Sequence, residues 1–218
     1  MKKKNDKYRN EYRQTRVGKS YLYLLHLIAN FGILIITCVF LLSLTKNVNQ
    51  LELLIVPLMF VIGNFAVWFI HKYPLHKKGF FLGSYSFQKH TVEHHTFFTE
   101  KDNVFDSLKD LHIVLFPTVV VAGFSFILLP VAYFLLQFVF SQNVVGLILF
   151  GSALYFILYE VVHTCSHLPK DHWILKIKHL RNMWEHHRVH HDPRYMSSKN
   201  FGIVSHFADR VLKTYVKM

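Results

Sequence analysis

The chain has 218 residues, 52% hydrophobic and 16% aromatic, with only 9 Gly and 6 Pro, which excludes a disordered, collagenous or low-complexity protein. Its formal charge is +12, and the apolar residues gather in runs that are apolar on every side rather than along one helical stripe, so the expected solvent for much of the chain is lipid. Positive-inside topology and attraction to anionic headgroups account for the charge, with no nucleic-acid partner needed.

In chain order, residues 1–20 form a basic segment expected in the cytoplasm, and residues 21–218 are expected to form one membrane domain. A helix needs roughly 20 apolar residues to cross ~30 Å of hydrocarbon, and four runs qualify: 21–44, 51–70, 111–140 and 144–162. The first exceeds the roughly 7 to 15 residues of a signal-peptide core and is read as a retained anchor. The third is too long for one crossing and too short for two with a turn; it reads as a single long tilted helix kinked at Pro130. Short polar turns at 45–50 and 141–143 then give two helical hairpins. Of the 25 Lys and Arg, 8 precede Tyr21, 6 lie between His71 and Asp110, and 10 follow Val162. Lys46 alone falls in an outer turn, so both termini and the middle segment are expected on the cytoplasmic side. Cys38 and Cys165 have no spacing that implies a disulfide.

The chemistry-bearing residues are histidines, 16 in all. Ten form four boxes at or beyond the expected cytoplasmic span ends: "HKYPLH" (His71, His76), "HTVEHH" (His90, His94, His95), "HTCSH" (His163, His167) and "HRVHH" (His187, His190, His191). Residues four apart share a helical face, so His163 with His167, His90 with His94 and His187 with His191 are each expected to aim at one point. His71 and His76 would splay about 140° on an ideal helix, and Pro74 is expected to end the helix and let His76 return from a loop. Glu160 is a candidate acceptor for an imidazole N–H or an extra ligand, and Asn64 a candidate helix-to-helix or substrate contact. His186, four before His190, is an alternative to His187. His26, His112, His172, His179 and His206 read as packing or interfacial residues. One zinc takes about four ligands. Ten imidazoles overfill it, and instead suit two ions of about five ligands each with a position left open; imidazole suits iron in O₂ chemistry.

Boxes of the form HX4H, HX3HH, HX3H and HX2HH, in this order on two transmembrane hairpins, resemble the fatty acid hydroxylase and sterol desaturase superfamily of integral-membrane di-iron enzymes. The tail "HHDPRYMSSKNFGIVSHFADRVLKTY" is similar to the family ending, in which an aromatic-Gly pair precedes an Asp-Arg and then a Thr-Tyr, and "YEVVHTCSH" resembles the fourth-span exit. The likeness runs from about Trp68 to Tyr215 and is closest in pattern to fatty acid 2-hydroxylases that lack a fused cytochrome b5 domain. Two positions depart from it: three residues separate His90 and His94 where sphingolipid fatty acid 2-hydroxylases have two, and Ala208 stands where Trp is usual.

The resemblance implies an all-α membrane fold with a cytoplasmic helical cap, two iron ions on the ten histidines, O₂ as cosubstrate and hydroxylation of a fatty acyl chain. Zinc is able to replace iron in such sites during purification. A separate electron donor, cytochrome b5-like or ferredoxin-type with its reductase, is implied, and the host is a bacterial inner membrane or endoplasmic reticulum. Sterol or carotenoid oxygenation and lipid desaturation use the same centre and remain alternatives. A metal transporter is the alternative from another class, expected to place its ligands near the bilayer midplane.

Overall fold

The structure is a computed structural model that describes residues 2–79 and 83–217. Met1, three residues of the middle basic segment (80–82) and Met218 lie outside the described residues. Among the described residues the chain is helical with no strand; an isolated bridge pairs Thr99 with Asp102. Four helices among the described residues are long and apolar enough to cross a membrane: Tyr23–Ser43, Glu52–Leu75, Thr118–Leu136 and Gln142–Cys165. The all-α, four-span architecture expected from sequence is therefore observed. Within these helices Ile28, Ile36, Phe126 and Ile127 are exposed, a distribution suited to lipid rather than water.

The third apolar run departs from expectation. It is not one long helix. A single helical turn, Leu111–Val114, is followed by extended backbone at Leu115 and Pro117, and the spanning helix begins only at Thr118. Pro130 follows directly on a π-helical stretch, Phe124–Leu128, whose wider turn takes up the missing proline N–H and the bulk of its ring. The second and fourth spans in turn extend beyond their apolar runs, to Leu75 and Cys165, and carry histidines within the helix.

The chain divides into two compact units. One comprises residues 22–63 and 116–160. Its turns are stapled by Asn143, whose Oδ1 accepts from Lys46 N at 2.9 Å and whose Nδ2 donates to the Lys46 carbonyl at 2.8 Å. Gly63 lets the backbone approach the Tyr155 ring; a Cβ there would lie 2.6 Å from it. Buried Asn30 donates to Phe116 O at 2.8 Å and accepts from Thr118 Oγ1 at 2.8 Å, which stabilises the backbone break inside an apolar unit where an unsatisfied group costs several kcal/mol. His26 also bonds Phe116 O, at 2.9 Å, the packing role expected of it.

The other unit comprises residues 1–21, 64–115 and 161–218. Its basic N-terminal helix, Lys2–Tyr12, turns charge inward: Arg9 is 2% exposed and donates to the carbonyls of Phe97, Asp102 and Val104. Arg13 pairs with buried Asp110 at 2.7 Å and with Asp106. These two arginines are structural, and the run of basic residues that suggested a headgroup-facing segment concealed them. Phe97, Phe98, Tyr12, Val17 and Val114 form an apolar cluster of this unit, and Trp68, Phe201 and Ala208 a second.

Candidate metal centre

All four histidine boxes meet within the second unit, as a third run that crosses once requires. The ligand atoms fall into two groups whose members lie within 4.8 Å of one another. His71, His76, His90, His95 and His190 make the first; His94, His163, His167 and His187 make the second, and all nine are buried. His191 joins the second, with its Nε2 3.0 Å from that of His187. The groups adjoin: His95 stacks on His191 at 4.3 Å and His90 on His94 at 5.1 Å between ring centroids.

The local backbone explains which histidine joins which group. His71–Leu75 and Gln88–His94 are π-helical, so residues five apart lie one above the other. His71 and His76 are accordingly stacked at 5.3 Å, and His90 and His95 are 3.2 Å apart at Nε2. One expectation is refined and one corrected here. The helix runs one residue past Pro74, because the widened turn admits a residue with no N–H to donate, and ends at Leu75 with His76 just beyond it. His90 pairs with His95 rather than with His94, which is delivered to the other group. The third box also differs from a simple helical face: the helix stops at Cys165, and a tightened turn, with His167 N on Thr164 O at 3.1 Å, carries His167 round to join His163. His187 and His191 converge as α-helical spacing predicts.

Most Nδ1 atoms point outward and are spent on oxygen acceptors. His71 bonds Phe201 O (2.7 Å), His94 Ile113 O (3.1 Å), His163 Val114 O (3.1 Å), His167 Asn103 O (2.8 Å), His190 Lys199 O (2.9 Å) and His191 Phe98 O (2.8 Å). His76 Nδ1 meets Thr91 Oγ1 at 3.0 Å. The Thr91 hydroxyl already donates to Leu75 O at 2.6 Å, so the imidazole must be the donor. An imidazole holding its proton on Nδ1 has a bare lone pair on Nε2.

That assignment tests whether metal fits. Nε2 of His76 and of His190 stand 3.1 Å apart, both lone pairs facing each other. Such a pair is repulsive unless a proton or a cation lies between. Burial disfavours the proton: it lowers His76 to about 2 and, helped by the neighbouring imidazoles, holds His90, His95, His167, His187, His190 and His191 well below the usual histidine range. His94 falls to about 4, and its buried Nε2 has no hydrogen-bond partner. Two nitrogens each about 2.1 Å from one ion and at right angles lie about 3.0 Å apart, and the Nε2 separations of 2.9–3.2 Å match that edge. The residues therefore fit two metal ions of imidazole ligation.

The remaining expected residues lie elsewhere. Glu160 is fully buried, but its Oε1 accepts from Phe116 N at 3.1 Å, and it is in neither group. His186 bonds Asp209 at 3.0 Å rather than standing in for His187. Asn64 accepts from Ser205 at 2.7 Å. His112, His172 and His179 make structural bonds, to Tyr12, Ile174 N and Val204 O. Sequence reasoning missed Asp209, Thr91 and Asn103. The signal for Asp209 was in the tail motif, whose aromatic-Gly, Asp and Thr are joined by hydrogen bonds: Asp209 accepts from Phe201 N, Gly202 N and Thr214 Oγ1.

Residues 56–214 match the fatty acid hydroxylase family, well over half of the chain, and the chain belongs to that family. No curated protein and no solved structure gave a match. Membership together with the paired histidine groups indicates an oxidoreductase of the lipid hydroxylase or desaturase type, embedded in a membrane.

Proposed function

We propose that this chain is an O₂-dependent di-iron monooxygenase that places a hydroxyl group on an unactivated C–H of a fatty acyl chain, free or in a sphingolipid. The observation that carries this reading is the opposed His76 and His190 lone pairs, buried where only a cation relieves them. Iron fits an all-imidazole site with a position open to O₂, and when bound it would supply the oxygen activation that no side chain here can. His71, His76, His90, His95 and His190 would hold one ion, and His94, His163, His167, His187 and His191 the other. Zinc would be accepted by the same nitrogens in purified protein.

The protein's own part is threefold. The carbonyl-bound Nδ1–H groups fix each ring's tautomer and direction, so the nitrogens are arranged before metal arrives. Phe98, stacked 4.1 Å from His167, and Phe201, against His71 and His190, exclude water from the two groups. The spans, residues 21–162 of a single membrane domain over 21–218, deliver a water-insoluble chain to the histidines at their ends. The bias of Lys and Arg toward one set of loops supports a cytoplasmic site and termini, in a bacterial inner membrane or the endoplasmic reticulum. A separate electron donor, cytochrome b5-like or ferredoxin-type, completes the reaction. Desaturation, or oxygenation of a sterol or carotenoid, would use the same centre. Metal transport is disfavoured by ligands gathered in two closed groups rather than strung along a path.

Mass spectrometry of lipids from cells expressing the chain, against His190→Ala, tests the reading. A product heavier by one oxygen and absent from the variant is expected. Loss of two hydrogens would shift the assignment to desaturation, and no lipid change with metal uptake would overturn it in favour of transport.

A further inference from the structure

The two iron groups are supported by different means, and one support is a buried carboxylate outside both. His190 and His71 each donate through Nδ1 to one short arm of backbone, at Lys199 O and Phe201 O. Asn200, between them, has a left-handed φ of 58° that turns both carbonyls into place, and its amide bonds His186 O and Val216 O. The far side of the arm is held by Asp209, which is fully buried. Its Oδ1 accepts from Phe201 N (2.9 Å) and Thr214 Oγ1 (2.6 Å), and its Oδ2 from Gly202 N (2.7 Å) and His186 Nε2 (3.0 Å). Thr214 in turn accepts from Trp68 Nε1 at 2.8 Å, one turn before His71 on the same helix. Gly202 is forced by this approach: a Cβ there would lie 2.2 Å from Ser205 O and 2.9 Å from Asp209 Oδ2.

We propose that Asp209 is a positioning residue for one iron only: through the Lys199–Phe201 arm it sets His71 and His190, and so governs loading of the His71, His76, His90, His95 and His190 group. No bond of this carboxylate reaches His94, His163, His167, His187 or His191, whose Nδ1 acceptors, where present, are carbonyls of other segments. The inference rests on the two-iron reading above. Four donors converge on two anionic oxygens, so the amide of Asn cannot replace them: its NH₂ would face an N–H or the imidazole.

The test is anaerobic Fe(II) titration of the full chain in nanodiscs, with iron counted per protein. Wild type should bind two. Asp209→Asn should bind one with wild-type affinity and the other about 10 to 100-fold more weakly, the cost of losing a group that orients a ligand. Adding His71→Ala should leave the tightly bound ion unchanged, whereas adding His187→Ala should remove it. Thr214→Val keeps the carboxylate, and should weaken the same ion less; if Asp209→Asn does not fold, unchanged iron affinities in Thr214→Val overturn the proposal. Two ions bound normally by Asp209→Asn, or both weakened alike, overturn it while leaving the two-iron reading intact. A wild type that holds no iron overturns that reading, and this inference with it.

Discussion

The two histidine groups are chemically alike and mechanically different. The first takes two of its pairs from π turns, His71 with His76 and His90 with His95, and hangs His71 and His190 on a tail anchored by side chains. In the second, His187 and His191 come from ordinary helical spacing, and His94, His163, His167 and His191 rest directly on main-chain carbonyls. Both groups rest on main-chain carbonyls; those that receive His71 and His190 are themselves held by the side chains of Asp209 and Asn200, whereas those that receive His94, His163, His167 and His191 lie on other segments.

Register is where that contrast is easiest to break. One alanine inserted after Val92 lengthens the His90–His95 spacing to six, which neither α nor π geometry superimposes. Displacements of about 1 Å cost about 100-fold in rate, so product formation should fall at least that far. Activity near wild type in the insertion variant would contradict the geometric assignment.

Acid gives the next largest effect. In metal-stripped protein the unfolded histidines titrate at their ordinary value of about 6.5, while burial holds folded His94 at about 4 and His76 at about 2. Below about pH 6.5 the unfolded chain binds more protons than the folded one, so stability is full above that pH and falls as pH drops. The slope is about 1.4 kcal/mol per pH unit for each such histidine, continuing until the folded values are reached. Thermal unfolding after chelator treatment should show a flat Tm from pH 8 to 7 and a steep decline by pH 5; a constant Tm across that range would refute neutral burial. His94, whose bond to Ile113 O favours the charged ring, should take up a proton before His76.

The smallest effect comes from removing a residue. Deleting Val92 turns the five-residue spacing of His90 and His95 into four, which an α-helical turn satisfies as well as the π turn satisfies five. Both irons should remain, with affinity at the first group weakened by about tenfold at most, the low end of what altered ligand support costs. The same substitution of turn for turn accounts for the departure noted in the second box: its extra residue is absorbed by widening the helix.

Much of this was legible in the sequence. Runs apolar on all sides marked the four spans, and the boxes identified the ten histidines that the fold brings together. Their distribution between two groups was not legible, because a spacing of five reads as divergent on an α-helix and Pro74 reads as a stop. The break at residues 115–117 was hidden inside continuous hydrophobicity. Arg9 looked like one more exposed positive charge, since sequence composition does not tell a surface guanidinium from one bonded to three carbonyls. Asp209 lay inside a motif that could be matched but not explained until its donors were seen.

Among the described residues no carboxylate joins either histidine group, which has a consequence for redox poise. Ten neutral imidazoles contribute no negative charge, so on the two-iron reading every positive charge gained on oxidation stands uncompensated in a buried, weakly polarisable setting. Such a ligand field would favour a ferrous pair and displace its reduction potential upward relative to carboxylate-ligated iron. On that reading the site would be reduced by a modest donor and would be a strong oxidant when oxidised, which would suit attack on a saturated hydrocarbon.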